Sequence, residues 1–190
     1  IEEVYSKLSL KNTVFWGTHT GSAIGLTLYL RKPEYISKMI LEGTVIPGFE
    51  TPNINRNIDK AKKNIGNYGF DKAMEEWLNY SEWFDYMRER PILTRFKEHK
   101  KIIEDFSGNP WLSKVEPKPV VDVYSKLDKI QIPMLAYNGE YDMEEFFKMS
   151  AELKSLEDAT LKIIPNSGGF PLWENPKETN NVVYNWLYKN

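Results

Sequence analysis

Cysteine is absent from this chain of 190 residues. Disulfide staples, thiolate nucleophiles and cysteine-ligated zinc are therefore excluded. Histidine is scarce: His19 and His99 are the only two, far apart and with no ligand spacing around either, so no metal site is expected. Neither sign of charge dominates, with 25 basic and 27 acidic residues and a formal net charge of -2. Nucleic-acid binding would need a basic excess on one face, so no nucleic-acid partner is expected, nor an anionic membrane. No apolar run approaches the length that spans a bilayer. No glycine-rich loop has P-loop or dinucleotide spacing, and no cofactor is expected. The opening Ile1-Glu2-Glu3-Val4 has neither the basic segment nor the apolar core of a signal peptide. It also lacks a starting Met, which suggests a fragment, a processed product or part of a longer reading frame. A chain without disulfides suits a reducing compartment, and the cytoplasm is the expected location.

What the chain has in quantity is aromatic side chains, 14% of residues within an apolar share of 41%. That supplies a sizeable core and leaves rings over for a pocket. Residues 1–10 read as the end of an amphipathic helix. Thr13–Trp16 is a short β-branched and aromatic run ending at Gly17, a buried-strand signal. Gly21–Arg31 reads as a helix apolar nearly all round, stopped by Pro33. Ile36–Leu41 reads as a second strand, Ile130–Tyr137 as a third and Leu161–Ile164 as a fourth. Helices over Glu144–Leu156 and Pro176–Tyr188 follow the last two. Strands alternating with helices imply parallel βαβ units.

Between the second and third strands the character changes. Ala61–Tyr68, Asp71–Arg88 and Ile92–Phe106 are helix candidates, punctuated by Pro91, Pro110, Pro117 and Pro119. Trp77, Tyr80, Trp83, Phe84 and Met87 recur at three- or four-residue spacing, a face that must be buried. The expected organisation is an α/β core of residues 1–48 and 118–190, with a helical cap of residues 49–117 inserted.

Four stretches, taken in order, resemble the second half of an α/β-hydrolase. Gly17-Thr18-His19-Thr20-Gly21 is similar to the Gly-x-nucleophile-x-Gly elbow of that family. Residues 25–44, GLTLYLRKPEYISKMILEGT, resemble the helix after the elbow and the next strand. IQIPMLAYNGEYD resembles the strand that delivers the acid, ending at Asp142. IIPNSGGFPLWENP resembles the loop that delivers the catalytic histidine. The resemblance implies a mostly parallel sheet flanked by helices, with the family's first strands not represented before Ile1. The Thr13–Trp16 strand would then lack a neighbour. An exposed apolar edge is a liability, so it is expected to pair with an upstream segment, another chain or a second copy.

Two departures bear on chemistry. His19 stands where the family keeps its nucleophile, and Gly169 where it keeps its general base. Hydroxyl attack needs a base within hydrogen-bond reach and a third group to orient it. Four readings of His19 stay open: a packed or hydrogen-bonded histidine in a dead elbow; a ligand-binding residue; a proton-transfer residue, since imidazole titrates near neutrality; or the base of a rearranged triad with Ser167 as nucleophile and Asp142 as orienter. Asp142 also reads as an N-cap for the helix that follows. Thr18, Thr20, Gly169, Phe170 and Trp83 are candidate ligand contacts. Thr18 and Thr20 equally suit local backbone bonds, and the Trp77–Met87 stripe equally suits plain packing. His99, in Lys97-Glu98-His99-Lys100-Lys101, reads as part of a solvated helix face, and Ser22 as facing away from the site. The expected function is a degenerate hydrolase-like protein that binds a small apolar molecule or a protein partner. An active enzyme of the family, hydrolase or lyase or isomerase, is the alternative, and an interaction module built on the open sheet edge is a third.

Overall fold

A computed structural model describes residues 1–113 and 122–188. Helix α1 (Glu2–Lys7) leads into strand β1 (Thr13–Thr18), helix α2 (Thr20–Arg31) and strand β2 (Ile36–Glu42). A run of helices follows: α3 (Pro52–Tyr68), α4 (Phe70–Tyr80), α5 (Asp85–Glu89), α6 (Phe96–Glu104) and α7 (Asn109–Leu112). The chain then returns through β3 (Met134–Gly139), α8 (Glu144–Glu152), β4 (Ala159–Ile164), α9 (Pro171–Glu174) and α10 (Pro176–Tyr188). The strands form one parallel sheet in the order β1-β2-β3-β4.

The sheet is buried on both faces at its centre, where Met39–Leu41 of β2 and Met134–Tyr137 of β3 are consecutive apolar residues. On one face Leu26 and Leu28 of α2, Met39 and Leu41 of β2, Met134 of β3 and Met149 of α8 form the main core. On the other, Ile40, Leu135, Tyr137 and Ile164 pack against Val183 and Trp186 of α10. Gly25 lets α2 lie close on β1, since a Cβ there would sit 2.6 Å from the Phe15 ring. Strand β1 occupies the sheet edge. Its alternate residues Val14 and Trp16 are 47% and 40% exposed in the lone chain.

The expected elements are present, several of them with shifted boundaries. The third strand begins at Met134 rather than Ile130, because Pro133 has no N–H to give to a ladder. The long helix expected over Asp71–Arg88 breaks at Ser81, which is extended (φ -75°, ψ 135°) and accepts a hydrogen bond on Oγ from the Trp83 N–H. The helix expected from Ile92 begins at Phe96, after a left-handed Arg95. Helix α3 begins at Pro52, nine residues before the expected Ala61, because a distant side chain caps it: buried Glu145 accepts from the Asn53 and Ile54 N–H groups at 2.6 and 2.8 Å. Of the apolar stripe, Trp77, Trp83, Phe84 and Met87 join the core of the insert, whereas Tyr80 lies outside it at 72% exposure. Pro117, Pro119 and the expected insert boundary lie outside the described residues. No described helix is long and apolar enough to cross a membrane.

Candidate functional site

The carboxyl ends of β1, β2 and β3 and the loop after β4 converge, the usual place for a site in an open parallel sheet. At the end of β1 the chain turns sharply into α2. His19 takes φ 46° and ψ -112°, a conformation that non-glycine residues rarely hold. The surroundings fix it. The His19 N–H donates to the Glu42 carbonyl at 2.8 Å. Its own carbonyl accepts from the Ser22 N–H at 2.8 Å and from Ser22 Oγ at 2.5 Å. A Cβ on Gly17 would sit 2.5 Å from the Gly21 backbone, so the turn closes only with glycine there. Ser22, expected to face away from the site, is fully buried beneath the elbow. Its hydroxyl also accepts from the Val45 N–H at 2.8 Å.

The His19 imidazole is wedged between Phe146 and Phe170, with ring centroids 5.0 and 5.3 Å away. It is hydrogen-bonded to the Gly169 backbone. Desolvation outweighs that bond and lowers its pKa to about 4, so the ring is neutral at physiological pH. No described hydrogen bond joins His19 to Asp142 or Ser167. The Ser167 hydroxyl is fully buried and donates to the Ile164 carbonyl at 2.9 Å. Asp142 accepts from Asn138 Nδ2 at 2.9 Å and from the Met143 N–H at 2.8 Å. The N-cap of α8 is Met143, so the N-cap reading of Asp142 moves by one residue.

Asp142 nonetheless lies beside position 169: a Cβ on Gly169 would stand 3.5 Å from Asp142 Oδ1, ordinary contact. Phe170 stacks on Phe84 at 5.7 Å, and Trp83 meets Trp77 edge-on at 5.5 Å. Both aromatic candidates therefore belong to a continuous cluster linking the loop after β4 to the helical insert. Thr18 and Thr20 flank the elbow and are exposed. His99, expected on a solvated face, is buried instead. Its Nδ1 lies 2.8 Å from Met87 Sδ and its ring packs on Phe170 and Trp173. Burial lowers its pKa to about 4.

Two acids at this site escaped the sequence reading. Glu42, at the end of β2, is buried, and one of its carboxyl oxygens accepts from Tyr137 Oη at 2.9 Å and from the Leu172 N–H at 3.0 Å. Tyr137 Oη in turn accepts from Trp16 Nε1 at 3.1 Å. Glu174 is also buried and accepts from the Gly168 and Phe170 N–H groups, which pins the loop carrying Gly169. Desolvation raises the Glu42 pKa to about 7 against its hydrogen bonds, and Glu174 adds like-charge repulsion. Desolvation likewise raises Asp142 to about 7, with Glu174 and Glu42 adding to it. The clue in the sequence was a carboxylate directly after the apolar run Met39–Leu41, at the strand end where sites form. Among the described residues no group of three or more His, Cys, Asp or Glu could hold a metal ion.

No family model matches the chain. It is 21% identical over 202 aligned positions to a Bacillus subtilis (strain 168) protein named as a 2-succinyl-6-hydroxy-2,4-cyclohexadiene-1-carboxylate synthase; the match covers 98% of this chain and 70% of that protein. Among solved structures, MenH from S. aureus superposes with a TM-score of 0.79 at 20% identity, over 99% of this chain and 72% of the other. A bromoperoxidase from Bacillus anthracis gives 0.77 at 16% identity, covering 99% and 71%. A thermophilic esterase from Thermogutta terrifontis gives 0.71 at 18% identity, covering 98% and 68%.

Proposed function

We propose, for a chain that carries the α/β-hydrolase fold, that it is a degenerate hydrolase-like protein that binds a small apolar molecule and does not cleave esters through a triad. One observation carries this reading. The side chain at the nucleophile position is a neutral imidazole, wedged between two phenyl rings and hydrogen-bonded to the backbone of the residue where the base would stand. An elbow filled in this way offers no attacking oxygen, and among the described residues no hydrogen bond joins the ring to Asp142 or Ser167. Ser167, the alternative nucleophile, has its hydroxyl committed to a backbone carbonyl. The proposal includes a cap role for the helical insert and a cytoplasmic location. Incubation with a fluorophosphonate probe followed by peptide mass spectrometry tests it. No covalent adduct is expected, and labelling of Ser167 would overturn the reading in favour of an active, rearranged enzyme.

A second reading rests on β1. It lies at the sheet edge with Val14 and Trp16 half-exposed, it carries no Lys or Pro, and its one pairing irregularity falls at its start, between Thr13 and Val14. An interaction module that pairs through this edge would account for it. Light scattering of the purified chain would then give a mass above the monomer, and a strict monomer at high concentration would count against it.

A further inference from the structure

The turn at residues 91–95 holds two aliphatic side chains away from the protein. Ile92 is 94% exposed and Leu93 61%, and no other large apolar side chain described is as exposed as Ile92. Apolar residues scattered singly over a surface are ordinary; two adjacent ones at the tip of a well-anchored turn are not. The Thr94 and Phe96 N–H groups donate to the Arg90 and Pro91 carbonyls, each at 3.0 Å. Thr94 is fully buried; its hydroxyl donates to the Arg90 carbonyl at 2.9 Å, and its carbonyl accepts from Trp173 Nε1 at 3.0 Å. Arg95 takes a left-handed φ of 53°, and its guanidinium donates to the Trp173 carbonyl at 2.6 Å. Thr94 and Arg95 anchor the turn, so Ile92 and Leu93 are presented rather than packed. Behind the tip lie rings and cations. Arg90 stands over Tyr86 and Tyr141, 4.5 and 5.6 Å from the ring centres, and Arg95 over Trp173 at 4.2 Å. Helix α6 begins directly after the turn. Its Lys97 and Lys101 are exposed and four residues apart, on the side opposite buried His99. Residues 88–101 hold six Lys or Arg against Glu89 and Glu98, a local net of +4 in a chain of formal net -2. Arg88 pairs with Asp85, Arg90 with Glu89 and Lys100 with Glu104, whereas no described ion pair engages Arg95, Lys97 or Lys101.

We propose that this turn docks the protein on an anionic bilayer surface, with Ile92 and Leu93 entering the interface and Arg90, Arg95, Lys97 and Lys101 meeting the lipid headgroups. The balanced charge of the whole chain, from which no anionic membrane is expected, conceals this local excess. Each part has its counterpart in a bilayer. Aliphatic side chains reach the acyl boundary, Tyr and Trp settle at headgroup level, and basic residues are drawn to anionic lipid. A turn already fixed by its own hydrogen bonds loses little conformational freedom on entering. A side chain as exposed as Ile92 stands clear of its surroundings. It offers a protein partner little flat area to bury, whereas a bilayer receives it without a matching pocket. The proposal is independent of what the elbow binds.

Because the chain has no cysteine, Ile92→Cys supplies a single thiol for the environment-sensitive label acrylodan. Glu157→Cys supplies a control, exposed in the turn before β4, whereas the tip is anchored to the segment after β4. Phosphatidylcholine vesicles containing phosphatidylserine should shift the emission of the Ile92 label to the blue and leave the Glu157 label unmoved. Pure phosphatidylcholine vesicles, or added salt, should weaken the response. The unlabelled chain should co-sediment with the phosphatidylserine vesicles. Ile92→Ser combined with Leu93→Ser should lower its partition about tenfold or more, the effect of removing two aliphatic side chains from the interface. Lys97→Gln combined with Lys101→Gln should lower it several-fold. All four side chains are exposed, so the fold should survive, as circular dichroism would check. Absence of co-sedimentation at low salt would overturn the proposal. Equal shifts at the two labels, equal binding to both lipid compositions, or an unchanged partition in the Ser pair would each do the same. A blue shift at Ile92 that needs no vesicles and grows with protein concentration would assign the tip to a second copy of the chain and overturn the proposal.

Discussion

Replacing Glu42 by Gln should stabilise the protein at alkaline pH and have little effect under mildly acidic conditions. The reason lies in burial. In the unfolded chain this carboxyl has an ordinary glutamate pKa, whereas in the folded protein desolvation, aided by Glu174, raises it to about 7. The native state therefore holds the proton more tightly than the unfolded state. The stability that this proton supplies is fully present below the unfolded pKa and is lost as pH rises through 7. Integrated between pH 5 and pH 8, the loss is about 2.5 kcal/mol. For a chain of this size that corresponds to about 5–10 °C in Tm. Gln keeps an acceptor oxygen for Tyr137 Oη and the Leu172 N–H but cannot ionise. The wild-type profile alone does not isolate the effect. Asp142 works in the same direction, whereas His19 and His99, with pKa values lowered to about 4, favour the native state at higher pH. The informative quantity is the Tm of Glu42→Gln minus that of wild type, measured by calorimetry at pH 5 and pH 8. It should rise by about 5–10 °C across that interval. A difference that is flat with pH, or larger at pH 5, would refute the argument that Glu42 is desolvated in its ionised form.

The other predictions concern the elbow and the insert. His19 is neutral in the native state and protonates first in the unfolded chain, so it should cost about 2 kcal/mol of stability as pH falls from 7 to 5; urea unfolding of His19→Asn at the two pH values should show that part of the acid sensitivity gone. Gly17→Ala should destabilise by about 3 kcal/mol, because its Cβ would meet the Gly21 backbone at 2.5 Å. Gly21→Ala, with open space around its Cβ in the first turn of α2, should be neutral or stabilise by about 0.5–1 kcal/mol. Chemical denaturation of the pair checks both, and equal effects would contradict the close approach. Glu145→Ala should cost about 2 kcal/mol and speed amide hydrogen exchange at Asn53 and Ile54, whose N–H groups lose their acceptor.

By itself the sequence determined the order of elements, the parallel sheet and the tight turn at Gly17–Gly21 with His19 at its centre. These are local matters. Strand and helix periods show within ten residues, Pro176–Tyr188 is bounded by its own composition, and the glycines of a tight turn are written side by side. What only the tertiary structure decided involves partners far along the chain. Helix α3 starts at Pro52 because of Glu145, more than ninety residues later. His99 sits among lysines in sequence, yet the one helix face it occupies is turned onto Phe170 and Trp173. Glu42 reads as the polar end of a strand until Tyr137 and Leu172 close over it. His19 shows the division most plainly. Sequence identified the position it occupies and left four roles open, including that of a proton-transfer residue. Folding surrounded the ring with Phe146, Phe170 and the Gly169 backbone, and the loss of water there keeps the imidazole uncharged.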